Sequence, residues 1–305
     1  NEFGDVGIDG DLINCDLCPN NETEGRLIEL KNGCLCCTVQ EDFIPTMQSL
    51  ISDTTIIEGI IIETSGLALP RPLLQALSWP EIRTKVFVSG VVTVVDGEAM
   101  SNGSPVGNLA AFEKQRIEDK NIDHESTVNE LFNDQISVAD LILISKKDKI
   151  SKLSIEKVKN QLIKKIEKYV PILNMENGLV DSSVILGISS DKHLEDSYSD
   201  FDHAHSHLKV ISDSIKLECN FDLNSLKRIL KEIAREFGTI RLKGRIWIPN
   251  KSTPLQLQMV GERLDCWYEN SNINTWRPKT SGLELVFISF RRGAIESLKK
   301  YLRDQ

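Results

Sequence analysis

The chain has 305 residues and a formal net charge of −9. This acidic balance argues against nucleic acid or an anionic membrane surface as a partner, and no apolar run approaches the roughly 20 residues that a membrane span needs. Five of the seven cysteines lie in the first 37 residues, which is unlike a secreted disulfide framework and favours metal binding in a reducing cytoplasm. The length suits one complete core and a second, smaller domain.

The first predicted helix begins directly after a dense group of thiols. Cys34, Cys36 and Cys37 fall within four residues, and Thr38 and Glu41 then have the S/T-x-x-E spacing of a capping box. A helix N-terminus favours the thiolate form, which binds soft and borderline metals. Because three thiolates leave a fourth position open, the spacing favours an exchangeable metal over a closed structural site.

Two further cysteines leave other interpretations open. Cys15 and Cys18, separated from Cys34 by fifteen residues, complete with Cys34 and Cys37 the spacing of a four-cysteine zinc site. Cys36 is left over in that arrangement, so we favour the C-x-C-C site. Cys36 and Cys37 are also candidates for a redox pair, and Cys15 and Cys18 for ordinary loop thiols.

Short apolar runs rich in β-branched residues then alternate with helical patterns. We predict strands at 56–62, 86–95, 141–144 and 184–188. A lysine-rich helix has apolar positions running from Ile155 to Tyr169. Such alternation predicts an α/β fold with a mostly parallel, open sheet and helices on both faces. Ligands of these folds bind at the carboxyl ends of the strands.

Two of these strands end in residues that suit nucleotide chemistry. Glu63 follows an apolar run, where nucleotidases place an acid that holds a magnesium-bound water, and Gly66 lets the backbone approach a phosphate. Ser145, Lys146 and Asp148 resemble the N-K-x-D motif, whose aspartate accepts hydrogen bonds from guanine and rejects adenine. A capped turn and a lysine-rich surface turn are the plainer interpretations. The sequence contains no G-x-x-x-x-G-K-[ST].

A polar stretch from Asp191 to His207 predicts a linker. It carries His203, His205 and His207, which lie too far apart in an extended strand to bind one ion, although a bent linker would gather them around a metal. A low-affinity metal-collecting arm and a plain solvated linker are both open.

The last third of the chain has a different pattern. Strand-like runs at 208–217, 240–248, 255–268 and 283–290 combine with a helix that stops at Gly238 and with a terminal helix. The order βαβββα predicts a compact α+β domain with a mostly antiparallel sheet.

Taken together, these stretches resemble the CobW family of P-loop GTPases that act as metallochaperones. The resemblance runs from Asn1 to nearly the end of the chain. Its segments are NEFGDVGIDG, ELKNGCLCCTVQEDFIPTM, IIETSGLALPRPLLQAL, WPEIR, VVTVVDG, DHESTVNELFNDQ, the S-K-x-D at Ser145, the His-containing linker, KGRIWIP and QMVGERLD. NGCLCC followed by ETSGLALP at this separation is highly specific.

The resemblance implies three parts: a GTPase-like domain over residues 1–200, a His-containing linker over 201–208 and a CobW C-terminal α+β domain over 209–305. Members of the family begin with a strand and a P-loop before NEFG, and this sequence lacks both. We therefore expect the chain as printed not to bind GTP tightly.

The resemblance also implies three groups of site residues, which bind the metal, act on the phosphates or read guanine. They are Cys34, Cys36, Cys37, His203, His205 and His207 for the metal, Glu63 and Gly66 with the switch residues Glu2 and Asp5 for the phosphates, and Ser145, Lys146 and Asp148 for guanine. The implied cofactors are GTP, Mg²⁺ and either Co²⁺ or Zn²⁺. Ser145 replaces the asparagine of N-K-x-D, which weakens one base contact.

WPEIR and DHES match the branch of the family that is associated with cobalt. We therefore expect a cytoplasmic, GTP-dependent chaperone that delivers cobalt for cobalamin (corrin) synthesis and couples hydrolysis to metal release. A cobalt-inserting chelatase or another metal-recipient protein is the expected partner. A zinc chaperone of the same family is the nearest alternative, and a non-enzymatic metal-binding protein is the other.

Overall fold

The computed structural model describes residues 43–52, 59–64, 66–118, 127–186, 211–269 and 276–303. The chain divides into two compact units. One is formed by Asn1–Val88 with Asn108–Val138, and the other by Ser89–Gly107 with Ala139–Gln305. No helix within the described residues combines the length and the apolar character needed to cross a bilayer.

The helices and strands are numbered in chain order. The helices are α1 (Ile44–Ser52), α2 (Pro70–Leu77), α3 (Pro80–Arg83), α4 (Gly97–Ser101), α5 (Leu109–Glu118), α6 (Val128–Ser137), α7 (Lys152–Lys165), α8 (Ser182–Leu186), α9 (Leu223–Phe237) and α10 (Ala294–Arg303). The strands are β1 (Val92–Asp96), β2 (Leu141–Ser145), β3 (Ile172–Asn174), β4 (Ile211–Glu218), β5 (Thr239–Trp247), β6 (Leu255–Val260), β7 (Arg263–Tyr268) and β8 (Gly282–Ser289).

The first unit contains α1, α2, α3, α5 and α6. Proline opens both α2 and α3, at a position where the missing N–H has no helical partner to lose. The first three helices pack around a core that includes Met47, Leu73 and Ile82. Residues 59–64 are not in a strand, so the strand predicted at 56–62 is wrong for its described part. No strand among the described residues pairs with this segment, and Ile60 and Ile62 pack on the helices while Ile61 is exposed.

The second unit contains a three-stranded parallel sheet in the order β1-β2-β3, which confirms the α/β fold predicted from the alternating pattern. The central strand β2 is buried from Leu141 to Ile144, as expected for a strand covered on both faces. β1 is shorter than predicted because it begins at Val92 rather than Val86. The predicted lysine-rich helix is α7, which Ser151 caps through its hydroxyl. It ends at Lys165, so its predicted extension to Tyr169 is wrong.

One predicted strand of this sheet is a helix. The run at 184–188 was expected to be a strand, but Ser182–Leu186 forms α8. A short apolar run does not distinguish a buried strand from a buried helix turn. Val184 is buried in a cluster with Leu143 and Leu173, and one such side chain is enough to attach a single helical turn to the sheet.

The antiparallel sheet has five strands in the order β4-β8-β5-β6-β7, with α9 and α10 packed on a common core. The single strand predicted at 255–268 is a hairpin, so the order is βαββββα rather than βαβββα. Gly261 turns the chain between β6 and β7 with a φ of 55°, a left-handed conformation that glycine adopts readily. Gly238 ends α9 in the same conformation, as predicted.

Within the second unit, the two sheets are joined at a buried carboxylate. Asp140, immediately before β2, is 3% exposed. It accepts hydrogen bonds from the Val91 N–H at 3.0 Å, from the Lys168 ammonium at 3.4 Å and from the Arg263 guanidinium at 3.3 Å. Arg263 lies at the start of β7, so the hairpin of the antiparallel sheet is tied to the parallel sheet.

Candidate functional site

The carboxyl ends of β1 and β2 form the edge where the fold places its ligands. Asp96 ends β1, Ser145 ends β2, and the two residues are register partners in the parallel pair. The Ser145 hydroxyl donates to the Val95 carbonyl at 3.2 Å, which fixes the end of β2 against β1. This edge therefore holds the start of the S-K-x-D turn beside an acidic residue.

Lys146 has an unusual backbone conformation at this edge. Its φ of 56° and ψ of 36° lie in the left-handed region, which non-glycine residues rarely adopt. Its ammonium lies 2.8 Å from Asp96 Oδ2 and 3.6 Å from Glu98 Oε2. Strained backbone conformations of this kind concentrate at functional sites, where the surrounding structure holds them.

The ion pair shifts the pKa of both partners in favour of their charged forms. Burial by itself would raise the pKa of Asp96, but the hydrogen bonds from Lys146 and from the Ala99 N–H outweigh it, so the pKa lies below its ordinary value. The hydrogen bond to Asp96 raises the pKa of Lys146 against a smaller opposing effect of burial. The pair is therefore charged at neutral pH.

Asp96 also caps α4. Its Oδ1 accepts from the Ala99 N–H at 3.1 Å, while Oδ2 faces Lys146. The next residue, Gly97, lies so close to β2 that an added Cβ would be 2.6 Å from the Ser145 carbonyl oxygen. The Asp96 carboxylate thus connects the start of α4 to Lys146, and Gly97 allows α4 to approach β2 closely.

Asp148 lies in the 3-10 turn Lys147–Lys149 that follows Lys146. It is exposed, and it is two residues beyond the left-handed turn that redirects the chain away from β2. A carboxylate in this position is accessible to a ligand at the edge of the sheet.

Glu63 and Gly66 lie in the first unit, so they are described separately from the lysine turn. Glu63 is exposed. The Gly66 carbonyl accepts a hydrogen bond from the Gln135 side chain of α6 at 2.9 Å, and the Ala68 carbonyl accepts another at 3.1 Å. Arg71 of α2 pairs with Asp134 of α6. The end of α6 therefore holds the loop that contains Gly66.

The remaining predicted site residues lie outside the described part of the chain. They are Cys34, Cys36 and Cys37, the alternative ligands Cys15 and Cys18, the histidines His203, His205 and His207, and Glu2 and Asp5. Among the residues that the structure does describe, no three His, Cys, Asp or Glu side chains are grouped in a way that would hold a metal ion. The metal-binding role of the thiols stays a prediction.

Comparison with protein families assigns both parts of the chain. Residues 1–174 match the model of the CobW/HypB/UreG nucleotide-binding domain, and residues 210–302 match that of the cobalamin synthesis protein cobW C-terminal domain. The chain belongs to the CobW family. The family resemblance inferred from the motifs is thereby confirmed.

Two proteins named zinc chaperone CobW are similar in sequence over most of this chain. The zinc chaperone CobW of Sinorhizobium sp is 39% identical over 282 residues, which cover 89% of this chain and 78% of that protein. The zinc chaperone CobW of Pseudomonas aeruginosa is 38% identical over 272 residues, covering 87% and 72%. The solved Zn(II)-bound YjiA GTPase from E. coli is 17% identical, with a TM-score of 0.31 over 85% of this chain and 74% of that one, a likeness too distant to support an argument about function.

Two residues of this CobW-family chain contribute to the candidate site although the sequence did not indicate them. Asp96 directly follows the run predicted as a strand at 86–95, where a helix cap is the simplest role for an aspartate, and the structure adds its ion pair with Lys146. Gln135 lies within the family-like segment DHESTVNELFNDQ, but glutamine on a helix gives no local signal of its partner 69 residues away. Only the fold brings α6 to the Gly66 loop.

We expect Gln135→Ala to loosen the Gly66 loop. The change removes the hydrogen bonds to the Gly66 and Ala68 carbonyls, each contributing about 1 kcal/mol or less in a partly exposed position. The expected result is a stability loss of about 1 kcal/mol with faster amide hydrogen exchange at 66–69. Gln75→Ala, at an exposed glutamine of α2, is the matched control. Unchanged exchange at 66–69 would show that α6 does not hold the loop.

Proposed function

We propose that this protein is a GTP-dependent metallochaperone that loads a divalent ion at Cys34, Cys36 and Cys37 and couples GTP hydrolysis to release of that ion. The observation that carries the proposal is the position of the S-K-x-D turn at the carboxyl edge of a parallel sheet, in a chain of the CobW family. In this proposal the GTPase-like domain covers residues 1–200, the linker 201–208 and the C-terminal domain 209–305.

Asp148 would select guanine at this edge. An ionised carboxylate accepts hydrogen bonds from N1 and from the exocyclic N2 of guanine, whereas adenine has neither donor there. The stem of Lys146 would lie along the base plane. The hydroxyl of Ser145 already donates to the Val95 carbonyl, so it is occupied in fixing the strand end. We therefore assign the selectivity to Asp148.

Glu63 and Gly66 would act on the phosphate end of the nucleotide. Glu63 is exposed, and a carboxylate is the type of ligand that Mg²⁺ accepts directly or through water, so the residue fits a magnesium-dependent site. When bound, Mg²⁺ would neutralise charge on the phosphates. The Gly66 peptide is held by Gln135 through its carbonyl, which supports a role for this peptide in sensing the γ-phosphate. Glu2 and Asp5 would belong to the switch segment.

The thiols would carry the cargo. Zn²⁺ is the ion that we propose, because the two relatives that are 39% and 38% identical are both named zinc chaperones. The expectation of cobalt rests on the WPEIR and DHES segments alone, and it is kept as the second candidate. His203, His205 and His207 would form a low-affinity collecting arm, and a metal-recipient protein in the cytoplasm would accept the ion.

The first test of the cargo site measures Zn²⁺ affinity of the full-length protein by competition with a chromophoric chelator. Replacing Cys34, Cys36 and Cys37 together by serine is expected to lower the affinity by more than about 100-fold, because a neutral hydroxyl is a poor zinc ligand. Cys219→Ser is the matched control. Cys219 directly follows β4, is half-buried and has a free thiol. Zinc binding that survives the triple substitution would refute the cargo site.

The second test adds a non-hydrolysable GTP analogue and Mg²⁺. Coupling between two sites is typically about 1–3 kcal/mol, so the zinc affinity is expected to change about 5- to 150-fold. Identical affinities with and without the analogue would remove the switch. Phosphate release from GTP, measured on the same protein, separates the chaperone from a metal-binding protein without enzymatic activity.

An experiment in cells, rather than an affinity measurement, distinguishes cobalt from zinc as the cargo. A thiolate site binds Zn²⁺ more tightly than Co²⁺ whichever ion is the physiological cargo. Deletion of the gene under ample zinc is the informative condition. Normal cobalamin production after deletion supports zinc, and loss of cobalamin production supports cobalt.

A further inference from the structure

We infer that Asp96 is a positioning residue for guanine recognition, because it holds the Lys146 side chain across the carboxyl ends of β1 and β2. This inference rests on the GTP binding proposed above. It concerns a residue that the motif S-K-x-D does not contain and that lies 50 positions before the lysine. The nucleotide class involved is any guanine nucleotide, since the contact would be with the base.

Both ends of Lys146 are fixed. Its backbone is held in the left-handed conformation at the start of the 3-10 turn, where its carbonyl accepts from the Lys149 N–H at 3.0 Å. Its ammonium is held by Asp96 Oδ2 at 2.8 Å. The methylene stem between these two points therefore spans the gap from the end of β2 to the end of β1.

A stem held in this way provides a flat apolar surface at the place where a base would bind. Lysine has several rotatable bonds, so a free side chain loses conformational entropy when it is ordered by a ligand. With the ammonium already bound to Asp96, part of that ordering takes place before the nucleotide arrives. Pre-organisation of this kind strengthens binding without adding a contact.

Asp96 is itself well placed to act as an anchor. It ends β1, and its second oxygen accepts from the Ala99 N–H at 3.1 Å, so the carboxylate has little freedom to rotate. Glu98 is a weaker partner of the lysine, because it lies 3.6 Å from the ammonium and is more exposed. The anchoring role therefore belongs mainly to Asp96.

Asp96→Asn separates the anchoring role from the capping role. Asparagine caps a helix about as well as aspartate and has nearly the same shape, so α4 is expected to keep its first turn. The amide carries no charge, so the ion pair with Lys146 is lost. Asp222→Asn is the matched control, because Asp222 caps α9 through the same kind of bond, to the Ser225 N–H at 2.7 Å, and has no role at the nucleotide edge.

The test is a double-mutant cycle on the full-length protein, with fluorescent GDP as the probe. Asp96→Asn is expected to weaken GDP binding about fivefold, the upper end for a partly exposed ion pair. In a Lys146→Met background the same substitution is expected to have no further effect, because Asp96 acts only through the lysine. Asp222→Asn is expected to leave GDP affinity unchanged.

The outcomes are distinguishable. Suppose that wild-type protein binds GDP and prefers it to ADP. The positioning role is then refuted, while the proposed function stands, if the Asp96→Asn variant binds GDP as tightly as wild type. It is also refuted if Asp96→Asn weakens GDP binding equally with Lys146 present and in the Lys146→Met background. If wild-type protein shows no preference for GDP over ADP, the proposed function fails and the positioning role fails with it. A fivefold loss that disappears without Lys146 supports the role, and unchanged hydrogen exchange of the Ala99 amide in Asp96→Asn confirms that the cap is retained.

Discussion

Gly97→Ala is expected to destabilise the protein by about 1–3 kcal/mol, the usual cost of overpacking a closely packed contact, and to weaken guanine-nucleotide binding. The alanine Cβ would lie 2.6 Å from the Ser145 carbonyl oxygen and 2.7 Å from Ile144 Cγ2. The carbonyl belongs to the backbone of β2 and cannot swing aside. The end of β2 and the Lys146 turn would therefore have to move away from α4.

Chemical denaturation and GDP titration of the same variant provide the measurements for Gly97→Ala. Gly59→Ala is the matched control, since an added Cβ at Gly59 has nothing within 4 Å and its backbone is not in the left-handed region. Wild-type stability together with wild-type GDP affinity would show that α4 does not approach β2 this closely.

The end of β2 explains why the position of the S-K-x-D turn was predictable from the sequence. Ser145, Lys146 and Asp148 follow the run at 141–144, which consists of leucine and isoleucine and forms most of the buried central strand β2. The chemistry of S-K-x-D then follows from its residue types. The position of the motif at the sheet edge was therefore a local inference, and the structure confirms it.

The partner of Lys146 was not predictable in the same way. Asp96 is followed by the start of a helix, and a cap explains an aspartate there completely. Asp96 Oδ2 contacts the Lys146 ammonium only because β1 and β2 are adjacent and in a register that places Asp96 beside Ser145. Parallel strands are joined by a long crossover and not by a tight turn, so no local turn in the sequence sets the register between β1 and β2.

The prediction of 255–268 as one strand failed for a related reason. Apolar and polar residues alternate from Leu255 to Met259 and again from Arg263 to Cys266, and between these two stretches a single glycine, Gly261, is the main turn signal. In the structure, Glu262 accepts a hydrogen bond from the Tyr169 N–H at 2.6 Å and pairs with Arg235. The turn is thus specified largely by contacts with residues remote in sequence. These contacts attach the hairpin to the rest of the second unit.

Asp140→Asn is expected to cost about 3 kcal/mol, at the low end of what breaking a buried ion pair costs, because Lys168 and Arg263 both retain access to solvent. The Val91 N–H and the Arg263 guanidinium share Oδ2, so a neutral amide can keep its oxygen on both only by directing its own N–H₂ group towards the Lys168 ammonium. One buried polar group is then left without a partner. We expect a lower denaturation midpoint and faster hydrogen exchange in the β6–β7 hairpin, because Arg263 links that hairpin to the parallel sheet.

Asp265→Asn is the control that isolates burial as the cause in Asp140→Asn. Asp265 is the other carboxylate paired with Arg263, at 3.1 Å, but its side chain is 42% exposed against 3% for Asp140. Exposed pairs contribute about 1 kcal/mol or less, so this variant is expected to stay close to wild type in both stability and hairpin exchange. Equal losses in the two variants would mean that the arginine, and not the buried carboxylate, holds the hairpin. A loss confined to Asp140→Asn would place the junction between the two sheets at the residue that precedes β2. This residue lies at the opposite end of β2 from the edge proposed to bind the nucleotide, so GDP affinity is expected to be retained while the hairpin loosens.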